Sequence, residues 1–133
     1  MHVWVVCARW WLGTLGGQLG RKVAIGLALV AAFAAGVAHL VFLFGLGLTG
    51  GGSSLESTVW ILGLIATAIA VPGLLTALLP VSAWVFPLAF TACYLPFAVA
   101  NVLAEPVKGL GTFAIAAVIF ALGFLSSRFV LRR

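Results

Sequence analysis

From Val23 to Val107 the chain contains no lysine or arginine, and the only two acids in the protein, Glu56 and Glu105, lie in that stretch. A soluble domain usually carries about 25% charged residues, whereas this chain is 7% charged and 65% hydrophobic. A water-soluble fold of this composition would expose large apolar patches, because a small domain buries only part of its surface. We therefore predict an integral membrane protein whose apolar solvent is lipid.

Four apolar stretches are each long enough for a helix to cross a bilayer, which takes about 20 residues. They cover about 23–48, 57–79, 84–104 and 110–130. Because backbone groups that face lipid must be hydrogen-bonded internally, each stretch should be helical. The sequence therefore predicts an all-α fold, a four-helix transmembrane bundle that forms a single domain over residues 1–133.

The borders of these stretches carry turn-forming and helix-capping residues. Gly50, Gly51 and Gly52 end the first stretch with flexible chain. The sequence Ser53-Ser54-Leu55-Glu56 matches a capping box at the start of the second helix. Pro72 and Pro96 lie inside the second and third stretches, and a kink is expected near each.

Residues 1–20 are apolar only in short runs, which Arg9 interrupts. Trp4, Trp10 and Trp11 are typical of a segment that lies among lipid headgroups. We predict a short interfacial segment here. A cleaved signal peptide is disfavoured, because the apolar run continues to Leu48 past any small-residue cleavage site.

The net charge of +5 is concentrated at the two ends of the chain, since six of the seven basic residues lie within or beside the terminal segments. Basic residues accumulate on the cytoplasmic side of membrane proteins and contact anionic lipid. Four spans would place both termini on that cytoplasmic or equivalent side. Nucleic acid is not an expected partner, because no continuous basic face with interleaved aromatics is present.

The first predicted helix has one stripe, at steps of three and four residues, that should face protein at least along its alanine-lined first half. The stripe consists of Ala28, Ala32, Ala35, His39, Phe42 and Leu46. His39 is the only acidic or basic side chain deep inside a predicted span, which makes it a candidate functional residue.

Three interpretations of His39 are open: a hydrogen-bonded structural residue, a proton or ion relay, and an axial ligand of haem or chlorophyll. The spacing Ala35-x-x-x-His39 resembles the small-residue-then-histidine pattern of pigment-binding helices in light-harvesting proteins. That resemblance implies a tetrapyrrole beside the imidazole. A haem held by two histidines would need a second buried histidine, and His2 is poorly placed to supply it.

The third predicted helix carries a second polar face, formed by Thr91, Tyr94 and Asn101 together with Ala98. These groups should point inward and bond neighbouring helices. The alternative is a substrate or ion path along this face, which kinked helices with freed carbonyls would suit.

Catalysis and metal binding lack the usual residue patterns. No span holds a pair of carboxylates, and Cys7 and Cys93 have neither C-x-x-C spacing nor nearby histidines. Gly45-x-Gly47-x-x-Gly50 matches a dinucleotide-binding motif in letters but follows a predicted membrane span, where a strand would be required. We expect no catalytic residues and no metal site.

Three functions follow from these expectations. The first is a small non-catalytic subunit that packs within or stabilises a larger membrane protein complex. The second is a small homo-oligomeric transporter or channel with a path near Thr91, Tyr94 and Asn101. The third is a subunit that holds haem or chlorophyll through His39 in an electron-transfer or light-harvesting assembly.

Overall fold

A computed structural model describes residues 17–49 and 54–133, together with Val3, Val6, Cys7, Arg9 and Trp10. The side chains of 46–49 and 54 are excluded from that description. The predicted interfacial segment 1–20, the glycine run at 50–52 and the capping box at Ser53 therefore lie largely or wholly outside the described residues. Within the described residues the chain is α-helical with short turns and has no strand, which confirms the all-α class.

Five helices make up this part of the chain. They are α1 (Gly17–Thr49), α2 (Ser54–Leu78), α3 (Val85–Thr91), α4 (Tyr94–Ala104) and α5 (Pro106–Leu131). Three of them, α1, α2 and α5, begin earlier than the apolar stretches do. The helix α1 continues through Arg21 and Lys22, and α5 starts at Pro106, whose fixed φ and missing N–H suit the first helical position.

Three of the helices, α1, α2 and α5, are long and apolar enough to cross a membrane. The pair α3 and α4 makes a fourth candidate if it is taken as one span, with a bend of 42° between its two parts. The described chain thus has three membrane-spanning candidates, or four with the bent pair.

The bend lies at Ala92 and Cys93, just ahead of Pro96, so the kink expected in this segment is present. Pro96 has no N–H to donate to the carbonyl of Ala92, and its ring crowds that same carbonyl. The Ala92 oxygen accepts from the Leu95 N–H at 3.3 Å, the tighter pattern of a 3₁₀ turn. Pro72, by contrast, lies inside α2 without interrupting it.

Taking the bent pair α3–α4 as one segment, successive helical segments run in opposite directions. The first, α1, packs against α2 and α3, and α5 packs against α2, α3 and α4. Contacts from Gly36 to Phe90 and from Phe44 to Phe97 show that α1 runs parallel to the α3–α4 pair. The helix α2 also contacts α3, and Ala68 and Phe90 from these two helices lie in one buried cluster.

The alanine stripe of α1 faces protein in its first half. Ala28 and Ala32 are buried against Phe86 of α3. Gly36 is also buried, and a Cβ atom at that position would overlap the Phe90 carbonyl. In the second half His39 is still buried, whereas Phe42 is 54% exposed and stacks on Trp60 of α2. The Leu46 side chain lies outside the described residues.

A seam of glycine, proline and hydroxyl residues joins α2 to α5. A Cβ atom at Gly123 would lie 3.1 Å from Pro72 Cγ and 3.3 Å from the Ala68 carbonyl oxygen, and one at Gly73 would overlap the Ser126 hydroxyl. Because Pro72 cannot donate to Ala68, this carbonyl is a place where a neighbouring helix can approach closely. Small residues permit such approach in lipid, where helix association depends on packing and hydrogen bonds.

Candidate functional site

His39 is the buried polar centre of the fold. Its side chain is 3% exposed and reaches from α1 to three other helices. The Nδ1 atom lies 2.5 Å from the hydroxyl oxygen of Tyr94 at the start of α4, and Nε2 lies 2.9 Å from the carbonyl oxygen of Leu64 in α2. The ring also meets Phe90 edge-on, with centroids 5.3 Å apart.

The partners of the imidazole fix its tautomer. The Leu64 carbonyl oxygen can only accept, so His39 Nε2 carries the proton and donates it. The Nδ1 atom of the neutral ring then accepts from the Tyr94 hydroxyl. Both ring nitrogens are thus hydrogen-bonded, and axial ligation of a tetrapyrrole by His39 would require one of these bonds to break.

The polar face predicted on the third span is directed inward but is divided among separate partners. Tyr94 is fully buried on His39. The Thr91 hydroxyl donates to the Pro87 carbonyl of its own helix at 2.8 Å. Asn101 Nδ2 donates to Thr112 of α5 at 3.1 Å, and Thr112 donates in turn to the Lys108 carbonyl. The three residues therefore form three separate hydrogen-bonded groups.

Two apolar clefts flank this centre. The first, which we name the α1–α2–α5 cleft, has a volume of about 320 Å³. Its walls are His39, Leu43, Ile61, Leu64, Ile65, Ala68, Ala114, Ile115, Val118, Ile119 and Leu122. Apart from the imidazole, every side chain in this wall is aliphatic, so an occupant of this cleft would be apolar.

The second cleft, which we name the α1–α4–α5 cleft, has a volume of about 430 Å³. Its walls are Leu40, Leu43, Phe44, Tyr94, Phe97, Lys108, Thr112 and Ile115. Leu43 and Ile115 line both clefts, so these two side chains are shared between them. Unlike its neighbour, the α1–α4–α5 cleft has a charged residue, Lys108, at one end.

Polar residues that the sequence did not single out join α2 and α5. Thr76 donates to the Ser127 hydroxyl at 2.9 Å, with both side chains fully buried, and Ser126 donates to the Ile69 carbonyl. In the sequence, the only indication of these contacts is the presence of hydroxyl residues inside otherwise apolar helices. Thr76 and the pair Ser126-Ser127 are separated by about fifty residues of sequence, so their pairing could not be read from spacing.

Within the described part of the chain, no three His, Cys, Asp or Glu side chains come together as a metal site would require. Cys7 is exposed and Cys93 is buried, and neither forms a disulfide. Glu105 pairs with Lys108 at 2.7 Å on the surface. None of the described groups therefore forms a metal-binding cluster with His39.

No protein-family model, curated protein or solved structure matches this chain.

Proposed function

We propose that this protein is a small non-catalytic membrane subunit that packs within or stabilises a larger membrane protein complex. The supporting observation is that the polar side chains of its helices bond to one another or to backbone. Among the described residues, no buried side-chain nitrogen or oxygen lacks a hydrogen-bond partner. Such a chain offers its neighbours an apolar outer surface and holds its own polar groups inside.

The proposal includes four passes through the membrane in a four-helix bundle. The bent pair α3–α4 covers Val85 to Ala104, about the 20 residues that a span requires. It follows α1 from the Phe86 contact with Ala28 to the Phe97 contact with Phe44. A segment that accompanies a long helix in this way is better explained as a crossing than as a re-entrant loop.

Both termini then lie on the same side, which the basic residues mark as cytoplasmic or equivalent. Arg128, Arg132 and Arg133 end α5, and Arg21 and Lys22 lie in the first turns of α1. Glu105 and Lys108 lie at the other end. This distribution supports the orientation through the excess of positive charge on the cytoplasmic side.

The outer surface supports the role of packing against other membrane proteins. Large apolar side chains on α1, α2 and α5 are exposed, for example Leu27 at 67%, Leu62 at 60% and Leu125 at 60%. Lipid alone can cover such a surface. The α1–α2–α5 cleft in addition offers a recess into which an apolar side chain of a neighbouring helix would fit.

The experiment is gentle purification from the native membrane, followed by identification of co-purifying proteins and a visible absorption spectrum. We expect large membrane proteins in a fixed ratio to this chain and no absorbance band from it. A colourless homo-oligomer would overturn the proposal and favour a transporter or channel. A Soret or chlorophyll band that is lost in His39→Ala and retained in the matched variant Thr67→Ala would favour a cofactor-holding subunit.

A further inference from the structure

We infer that the α1–α4–α5 cleft holds one acyl chain of a zwitterionic phospholipid, whose ethanolamine headgroup binds the Lys108–Glu105 ion pair. The inference rests on the proposed membrane location of the chain. It assigns an occupant to a cleft whose two ends differ in chemistry, with a charged pair at the helix ends and aromatic and aliphatic walls below.

The walls explain why the occupant has a long apolar tail. Lys108, Thr112 and Ile115 follow one face of α5 at steps of four and three, so the cleft extends from the end of that helix toward its middle. Its hydroxyl groups are already bonded, Tyr94 to His39 and Thr112 to Asn101 and to backbone. The volume of about 430 Å³ lies within the range of ligand pockets, about 300–1,000 Å³.

The ion pair at the end of the cleft is the reason for proposing an ethanolamine headgroup. Lys108 Nζ lies 2.7 Å from Glu105 Oε2, and the two side chains are 72% and 60% exposed. An ammonium group has three donors, so Lys108 can bind a phosphate while it keeps Glu105. The Glu105 carboxylate can likewise accept from a second ammonium group. A lysine and a glutamate side by side are complementary to a headgroup that carries both a phosphate and a primary amine.

The rest of this end of the molecule disfavours an anionic lipid. Lys108 is the only lysine or arginine between residues 23 and 127, and Glu56 lies at the same end, at the start of α2. The acids here outnumber the bases. Anionic headgroups are attracted instead to the opposite end, where Arg128, Arg132 and Arg133 are found.

The test is native mass spectrometry of the full chain in detergent, with phosphatidylethanolamine, phosphatidylcholine and phosphatidylglycerol of identical palmitoyl and oleoyl chains. We expect one phosphatidylethanolamine to bind in preference to the other two. Lys108→Gln should weaken it by about tenfold, since it removes one charged hydrogen bond. The matched variant Lys22→Gln, at the opposite end, should bind it as the unchanged protein does. Glu105→Gln should shift the preference toward phosphatidylglycerol.

The tail is tested separately. Leu40→Trp fills the cleft and should displace the lipid, whereas Val41→Trp places the same ring on the exposed side of α1 and should not. If Leu40→Trp does not fold, capture of lipid by a photoreactive phenylalanine at Phe44 tests the tail in its place. Equal affinity for phosphatidylglycerol, or equal weakening by Val41→Trp, would overturn the inference. A photoreactive phenylalanine at Phe44 that captures protein and no lipid in native membranes would also overturn it.

These outcomes are separable from those of the proposed function. A chain that purifies without partners but retains one phosphatidylethanolamine contradicts the subunit role and leaves the lipid site intact. A chain that purifies with partners and shows no lipid preference contradicts only the lipid site.

Discussion

The two halves of the molecule are packed by different means. In the closed half, around Gly36, Gly73 and Gly123, the missing side chains let backbones approach so closely that a Cβ atom would contact or overlap a neighbour. In the open half, around Leu43 and Ile115, larger aliphatic residues line two clefts. Apolar side chains are solvated as well by lipid as by a neighbouring helix. Hydrophobicity alone therefore does not drive the association of membrane helices. Close packing in this protein therefore follows the glycines that face a neighbouring helix, whereas the aliphatic residues of the open half leave space between the helices.

The strongest way to break this comparison is to add a side chain in the closed half. Gly36→Leu places a Cβ atom on the Phe90 carbonyl, which is backbone and cannot rotate away. We expect a loss of at least about 2 kcal/mol in the free energy of unfolding, the usual scale of overpacking. Denaturation of the purified protein in detergent measures this loss.

Gly26→Leu is the matched control for that variant. It is on the same helix, and nothing lies within 4 Å of the position a Cβ would take. Its stability should not decrease, because leucine is the better helix former. Equal losses in Gly26→Leu and Gly36→Leu would mean that close approach at Phe90 does not stabilise the fold.

The next largest effect is expected where the two halves meet, at the His39–Tyr94 bond. Tyr94→Phe keeps the ring but removes the hydroxyl, so the buried Nδ1 of His39 loses its donor. We expect a destabilisation of about 1–2 kcal/mol, the cost of a buried unsatisfied polar atom. Thr67→Val removes an exposed hydroxyl that bonds only within its own helix and should change stability far less. Similar stabilities of the two variants would show that the His39–Tyr94 bond is energetically unimportant.

A smaller effect sharpens the account of the α2–α5 seam. Thr76→Val and Ser127→Ala each remove one member of a buried hydroxyl pair. A double-mutant cycle should give a coupling energy of about 0.6 kcal/mol, the average for such bonds between membrane helices. The exposed residues Thr58 and Ser82 lie near opposite ends of α2, too far apart to interact. The cycle of Thr58→Val with Ser82→Ala is therefore the control, with an expected coupling energy of zero. A coupling energy indistinguishable from that zero would contradict the hydrogen bond.

The smallest change is expected in the open half. Ala114→Leu adds three carbons to the wall of the α1–α2–α5 cleft, where there is space for them. We expect the free energy of unfolding to stay within about 0.5 kcal/mol of its original value. A loss as large as that of Gly36→Leu would remove the distinction between the halves.

The sequence predicted the helices better than it predicted their contacts. Composition and apolar length were sufficient for the all-α class, because lipid leaves few alternatives to helix. The inward direction of His39, Thr91, Tyr94 and Asn101 followed from helical periodicity, and the structure places them inward. Periodicity could not reveal that His39 bonds Tyr94, since that contact depends on how far α1 and α4 are displaced along one another.

Boundaries and outer positions were less predictable. Phe42 shares the helical phase of the buried stripe but is 54% exposed, and the Trp60 ring on which it stacks is itself 44% exposed, so helical phase alone did not predict burial there. The break at Ala92 and Cys93 precedes Pro96, since a proline acts on the preceding turn. Each cleft is lined by residues of three helices, so the sequence of one helix alone could not predict it.

The central claim is that α3 and α4 together cross the membrane, which makes four passes and places both termini on one side. Single cysteines at Ser82, Lys108 and Arg132, in a chain with Cys7→Ser and Cys93→Ala, can be tested with an impermeant maleimide in sealed vesicles of known orientation. The account predicts labelling of positions 82 and 132 from one face and of position 108 from the other. Labelling of 82 and 108 from the same face would show that α3 and α4 form a re-entrant loop, and the four-pass account would be wrong.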